Sequence, residues 1–463
     1  MPESDWVGFE SFVLKRMSET KLPSVVSMAV SDRGVVYSHC FGFKDVESAQ
    51  PASTRTLYGV ASITKTFTAL AAGKLVDEGR LDFRDEITKY LPLDPESFGG
   101  IEVGHLLSHS SGIPGLGYAE VLIGSAVGDL KGWLPISGLE DMRAFLDEVD
   151  EWKTARPGEK VQYLNEGYFL LGEIISRVAK VPYERYLKEN VFRPLKMERS
   201  FFSKAEVESD PDSATPYLIK EDRAVRSVIP YGCGAGGGLI TTAEDLSRLV
   251  LMLLQKGEFE GERVVSEATL AELQKPRLPW PLDRHGEDSY GYGFQVSPKF
   301  LGHHVIGHGG DLLVYTADYK CAPKELVGSL AMANAEAYPM AQINSYSMAI
   351  LLGEDPNELP SLRLEGILRR LEGTYTAYKE TLTAEVRRND SFLILSGYDI
   401  GTNIILVYRT HDERSASFFT LIAGAKLEVT FETEKEKVTL LYERYRYQKT
   451  GPLRAVASTP TIP

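Results

Sequence analysis

The stretch Val60-Ala61-Ser62-Ile63-Thr64-Lys65-Thr66-Phe67-Thr68-Ala69-Leu70 decides how the rest of this chain is read. Ala, Leu and Lys favour a helix, and the apolar run continues through Ala71, Ala72, Leu75 and Val76 to a stop at Gly79. Ser62 falls in the first turn, where unpaired backbone N–H groups and the positive end of the helix dipole favour a developing anion. Lys65, three residues on, rises on the same face, with Cβ atoms about 5–6 Å apart. A serine hydroxyl attacks when a base takes its proton, and a lysine becomes that base when its pKa falls. Ser62 and Lys65 have the spacing of a nucleophile and its base. Ser18-Glu19-Thr20-Lys21 has the same spacing, so the pair needs support from the rest of the chain.

Upstream, the pattern predicts a helix over 5–20 and strands over 25–30 and 35–41 around the turn Ser31-Asp32-Arg33-Gly34. Downstream, 115–152 is irregular and reads as a lid or a substrate-facing insertion. A helix follows through Leu170, Ile174, Ile175 and Val178. The segment 232–238 is too glycine-rich for a regular element and suits close backbone approach. Thr242-Ala243-Glu244-Asp245 caps a helix that closes at Gly257. Strands are predicted over 292–296, 305–307, 312–319 and 326–333, and a closing helix over 341–352. Together these describe an α+β domain over 1–355. A linker and short helix occupy 356–370. Short alternating runs over 371–448, the last of them 438–445, predict a small antiparallel barrel. Residues 449–463 have too few apolar side chains for a core and read as a flexible tail.

The 463 residues are 43% hydrophobic and 25% charged, ordinary for a globular protein. A formal charge of −14 and a pI near 5.2 argue against nucleic acid or an anionic membrane as partner. No apolar run approaches the ~20 residues that span a bilayer. The start, Met1-Pro2-Glu3-Ser4-Asp5-Trp6, lacks the basic and apolar regions of a signal peptide. Cys40, Cys233 and Cys321 match neither a disulfide framework nor a zinc spacing, and the expected compartment is the cytoplasm. His303, His304 and His308 have no carboxylate or cysteine at ligand spacing, so neither metal nor cofactor is expected. Cys233, between glycines and without a partner motif, reads as a small buried residue.

Three further segments support the serine and lysine. They are the chain's one Tyr-x-Asn, Tyr163-Leu164-Asn165; the glycine-rich strand start His308-Gly309-Gly310; and His105-Leu106-Leu107-Ser108-His109-Ser110-Ser111-Gly112. In order and spacing they resemble the serine β-lactamase and penicillin-binding-protein-like family, from about Phe9 to Leu352. That family includes class C β-lactamases, esterases, DD-peptidases and D-aminopeptidases. The resemblance implies that Ser62 attacks an acyl carbon while Lys65 and Tyr163 share the proton traffic, with the choice of base open. Asn165 would hold the Lys65 amine and the substrate amide. The backbone N–H groups of Ser62 and Asp311 would form an oxyanion hole beside Gly309 and Gly310. His109 stays outside this set as a loop stabiliser.

His308 stands where true β-lactamases have lysine, and a neutral imidazole attracts a substrate carboxylate less, which implies weak penicillin turnover. The barrel looks like that of an archaeal serine peptidase that assembles into a closed octamer, and implies a homo-oligomer. The function expected is a peptidase on small or D-residue-containing peptides. The alternatives are a carboxylesterase or weak β-lactamase, or a non-catalytic scaffold that binds a small ligand.

Overall fold

Helix α1 (Glu3–Thr20) leads into strands β1 (Ser24–Ser31) and β2 (Gly34–Asp45). β1 is buried nearly end to end because helices cover both faces of its sheet. Its side chains divide as a strand's must: Val26, Met28 and Val30 enter the main core, and Val25 joins Phe9 and Val13 of α1 in a second. These positions come from a computed structural model, which describes residues 3–128, 139–389, 391–397 and 403–453. The chain forms two compact units, Met1–Pro356 and Asn357–Pro463.

In the first unit, β1 and β2 meet strands from far along the chain: β3 (Gln295–Phe300), β4 (His303–Asp311), β5 (Thr316–Ala322) and β6 (Val327–Ala333). The antiparallel order is β3-β4-β5-β6-β1-β2, with Val25 opposite Ala333, and short strands extend both edges. Helices α2 (Thr64–Asp77), α3 (Tyr118–Val127), α4 (Asn165–Ala179) and α5 (Ala243–Leu254) lie between β2 and β3 in sequence. α5 packs on one face of the sheet, and α6 (Met340–Leu352) with α1 on the other. α2 is the central helix, buried at every residue from Thr64 to Gly73. Its hydroxyls are satisfied internally: Thr66 donates to the Gly293 carbonyl (2.9 Å) and Thr68 to that of Ala235 (2.8 Å).

The second unit begins with α7 (Pro360–Leu371) and closes into an eight-stranded antiparallel barrel. The strands are β7 (Gly373–Thr376), β8 (Thr383–Asn389), β9 (Phe392–Gly397), β10 (Ile404–His411), β11 (Ser415–Ile422), β12 (Ala425–Glu434), β13 (Lys437–Tyr442) and β14 (Tyr445–Gly451). β7 and β14 pair to close it, which leaves no open sheet edge. Tyr375, Val386, Leu393, Leu395, Phe418 and Phe431 fill its interior.

The expected α+β domain and barrel are therefore present, with local differences. α2 begins at Thr64, and Ser62 lies in a preceding 3-10 turn, Ala61–Ile63. The run 312–319 becomes a strand only at Thr316, because Leu312 N–H turns back to the Tyr315 carbonyl (2.9 Å). The run 292–296 starts its strand at Gln295, since Gly293 takes a left-handed turn (φ 77°) against α2. Gly234–Gly237 forms one helical turn despite its composition. The run 438–445 is two strands, because the chain reverses at Glu443 (φ 51°), where no glycine signals it. β14 continues to Gly451, into the stretch read as a tail; 454–463 of that tail, and 129–138 of the 115–152 insertion, lie outside the described residues.

Candidate active site

Ser62 is placed by a strained, crowded backbone. Ala61 just before it is left-handed (φ 47°), unusual for a residue with a side chain, and Val60 N–H is held by the Leu239 carbonyl (3.0 Å). β3 pairs with β4 only as far as Gly307, and past that point the Ser62 turn packs against the β4 edge. The contact needs glycine: a Cβ on Gly310 would stand 2.1 Å from the Val60 carbonyl oxygen and 2.9 Å from Ser62 N. Both obstacles are backbone, so Gly310→Ala must displace the serine. The expected result is a loss of about 10²-fold in kcat for a chain that still folds, read from ester hydrolysis beside a thermal melt.

Lys65 is fully buried. Its Nζ reaches three acceptors: Ser62 Oγ (2.9 Å), Asn165 Oδ1 (2.8 Å) and the Gly236 carbonyl (2.6 Å). Burial pushes its pKa down to about 7, and Cys233, Glu120 and Glu166 only partly oppose this. No neighbouring cation is needed for the shift. The Tyr163 and Tyr168 rings lie 4.8 and 5.4 Å from Nζ. The Tyr163 phenol is raised above its usual range by burial, against a hydrogen bond with Ser62 that lowers it. Asn165 opens α4 without capping it; its amide spans Lys65 and Glu120, with Nδ2 donating to Glu120 Oε1 (3.1 Å).

Ser62, Lys65, Tyr163 and Asn165 thus converge. Gly310 abuts them, and Asp311 lines the same cavity as Ser62 and Asn165, a space of about 210 Å³. His308 does not line it. The ring is buried: Nδ1–H donates to the Gly309 carbonyl (2.6 Å), which leaves Nε2 to accept from the Tyr290 hydroxyl (2.7 Å). Burial first, then Lys65, hold its pKa down at about 3, so the imidazole is neutral and faces inward. Cys233 also lines the cavity, its thiol pushed up to about 12 by burial. His303, on the far end of β4, bonds Glu325 (2.9 Å) and Glu354 (3.2 Å).

Sequence reasoning missed the cavity wall: Glu120 and Ile123 of α3, Phe169 of α4, and Leu312 and Leu313 after β4. The only signal was the insertion's apolar, glycine-rich character, which names no residue. Glu166, also unassigned, anchors α3 by accepting Tyr118 N–H (2.8 Å).

The "Beta-lactamase" family model matches residues 9–350, and that of the Pab87 octamerisation domain matches 356–448. The octameric penicillin-binding protein homologue from Pyrococcus abyssi is 38% identical, with a TM-score of 0.89 over 96% of this chain and 100% of that one. An uncharacterised protein of Mycobacterium tuberculosis is 30% identical over 336 residues, 65% of this chain and 77% of its own length. A D-stereospecific amidohydrolase from a Streptomyces species shares the fold, at 23% identity and a TM-score of 0.60 over 73% of this chain and 96% of that one.

Proposed function

This chain belongs to the beta-lactamase family and carries a C-terminal octamerisation domain, and on that premise we propose that it is a serine hydrolase working through a Ser62 acyl-enzyme. The observation that carries the reading is the trio of acceptors around Lys65 Nζ. An ammonium donates to all three. A neutral amine has two N–H donors and one lone pair. The Asn165 oxygen and the Gly236 carbonyl can only accept, so the lone pair falls to Ser62, whose hydroxyl alone can turn and donate. With a pKa near 7, Lys65 is the base that takes the serine proton. Tyr163, held protonated, passes a proton to the departing group and recovers one from Lys65. The N–H groups of Ser62 and Asp311 receive the oxyanion, and water then releases the acyl group.

The substrate class that fits best is a small or D-residue-containing peptide. Glu120 and Asp311 line the cavity, no lysine or arginine is among its described lining residues, and the ammonium of Lys65 beside Ser62 is engaged by three acceptors. Burial of its carboxyl, then the Glu336 carboxyl, push Asp311 up to about 7. With His308 neutral and turned inward, a penicillin carboxylate finds no partner there. The barrel is proposed to assemble copies of the chain, as its family match supports.

The test is to trap the intermediate. Brief exposure to a p-nitrophenyl ester should add the acyl mass to the peptide bearing Ser62, and kcat/KM should rise with pH and level off above about 7 as Lys65 loses its proton. A label on another residue, or a rate that falls through that range, would refute the assignment.

A further inference from the structure

His109 has a grip on Tyr163 that its place in a loop motif does not explain. Its carbonyl accepts Gln162 N–H (2.7 Å) and its Nδ1 accepts Leu164 N–H (3.0 Å), so one residue holds the backbone N–H of both sequence neighbours of Tyr163. Its ring lies 4.0 Å from the Tyr163 ring between centroids, tilted by 35°, with Tyr168 and Tyr290 each at 5.0 Å. The backbone is left-handed (φ 55°), and the residue is 1% exposed.

The tautomer follows from the partners. A backbone N–H can only donate, so Nδ1 carries the lone pair and Nε2 carries the hydrogen. That Nε2–H is buried with no hydrogen-bond partner among the described residues. A strained backbone and an unmet buried donor both cost stability, and such costs gather where geometry serves a site. An apolar loop filler would avoid the second.

We propose that His109 is a positioning residue that sets the Tyr163 phenol against Ser62 and Lys65, by clamping the peptide on either side of it and stacking on its ring. The inference rests on the role given to Tyr163 above. His109 touches no reacting atom, and its effect passes entirely through the tyrosine.

Non-additivity tests it. Asn tolerates the left-handed backbone and keeps an acceptor but removes the stacked ring, so His109→Asn should fold. Its kcat for a p-nitrophenyl ester should fall about 10-fold or more, with KM little changed, as misplacement of a catalytic group predicts. Added to Tyr163→Phe, it should cause no further loss. Multiplying losses in the double variant, a change confined to KM, or an unchanged kcat in His109→Asn would each overturn the inference. A Tyr163→Phe enzyme with wild-type kcat would instead remove the reading of Tyr163, and this inference with it. If His109→Asn does not fold, nitrogen NMR of the wild type decides: Nδ1 unprotonated and Nε2 protonated across the active pH range supports the clamp, and any other state refutes it.

Discussion

Ser62→Ala will lower turnover of ester and peptide substrates on the order of 10⁴–10⁶-fold, the scale at which losing a nucleophile leaves only binding and oxyanion stabilisation. The fold should hardly notice. Ser62 is half-buried, and its hydroxyl gives up its bonds to Tyr163 and to Lys65, which keeps Asn165 and the Gly236 carbonyl. A lost hydrogen bond of this kind is worth about 1 kcal/mol. The turn is held by backbone contacts instead, Val60 N–H on the Leu239 carbonyl and β4 against the Ser62 amide. Kinetics and a thermal melt of the two proteins side by side check both halves. A variant that keeps more than a few per cent of wild-type kcat would sink the acyl-enzyme. An inactive variant that melts far earlier would mean that the loss reported unfolding.

Lys65→Met will abolish turnover as thoroughly and remove the pH dependence of stability that the buried amine imposes. Holding a fully buried amine at about 7 rather than 10.5 costs roughly 4–5 kcal/mol of folding stability at neutral pH, at about 1.36 kcal/mol for each pH unit. Methionine fills similar space without that cost, but strands the Asn165 and Gly236 oxygens, worth about 1–3 kcal/mol each. The two nearly cancel, leaving a net change at neutral pH within about 3 kcal/mol of zero, so what distinguishes the variant is how its stability varies with pH. Between about 7 and 10.5 the unfolded chain binds more protons at this lysine than the folded one, so wild-type stability rises with pH there. The variant's stability relative to wild type should be greatest below pH 7 and fall toward 10.5. A Tm difference that stays constant with pH would show that Lys65 is not held neutral by burial.

Short-range chemistry was readable in the chain. Ser62 and Lys65 lie on one turn, Tyr163 and Asn165 flank one residue, and all four arrive together. The barrel strands announced themselves by alternation, because a strand with one face inside must alternate. The reversal at Glu443-Arg444 stayed hidden, since its left-handed residue is not the glycine that marks such turns. The cavity wall stayed hidden too, because Glu120, Ile123 and Phe169 share no spacing with Ser62 and meet it only when α3 and α4 pack.

By itself the sequence determined which groups could react, because nucleophile, base and amide are properties of residue type at local spacing. Only the tertiary structure decided what state they are in. It brought the Ser62, Asn165 and Gly236 segments around one nitrogen and closed water out, so that burial alone brings Lys65 to about 7. It turned His308 inward, where its sequence position suggested a substrate contact, and it bound the backbone N–H of both sequence neighbours of Tyr163 to His109. Solvent exclusion and the direction in which a side chain points are set by everything packed around a residue, and no local spacing encodes them.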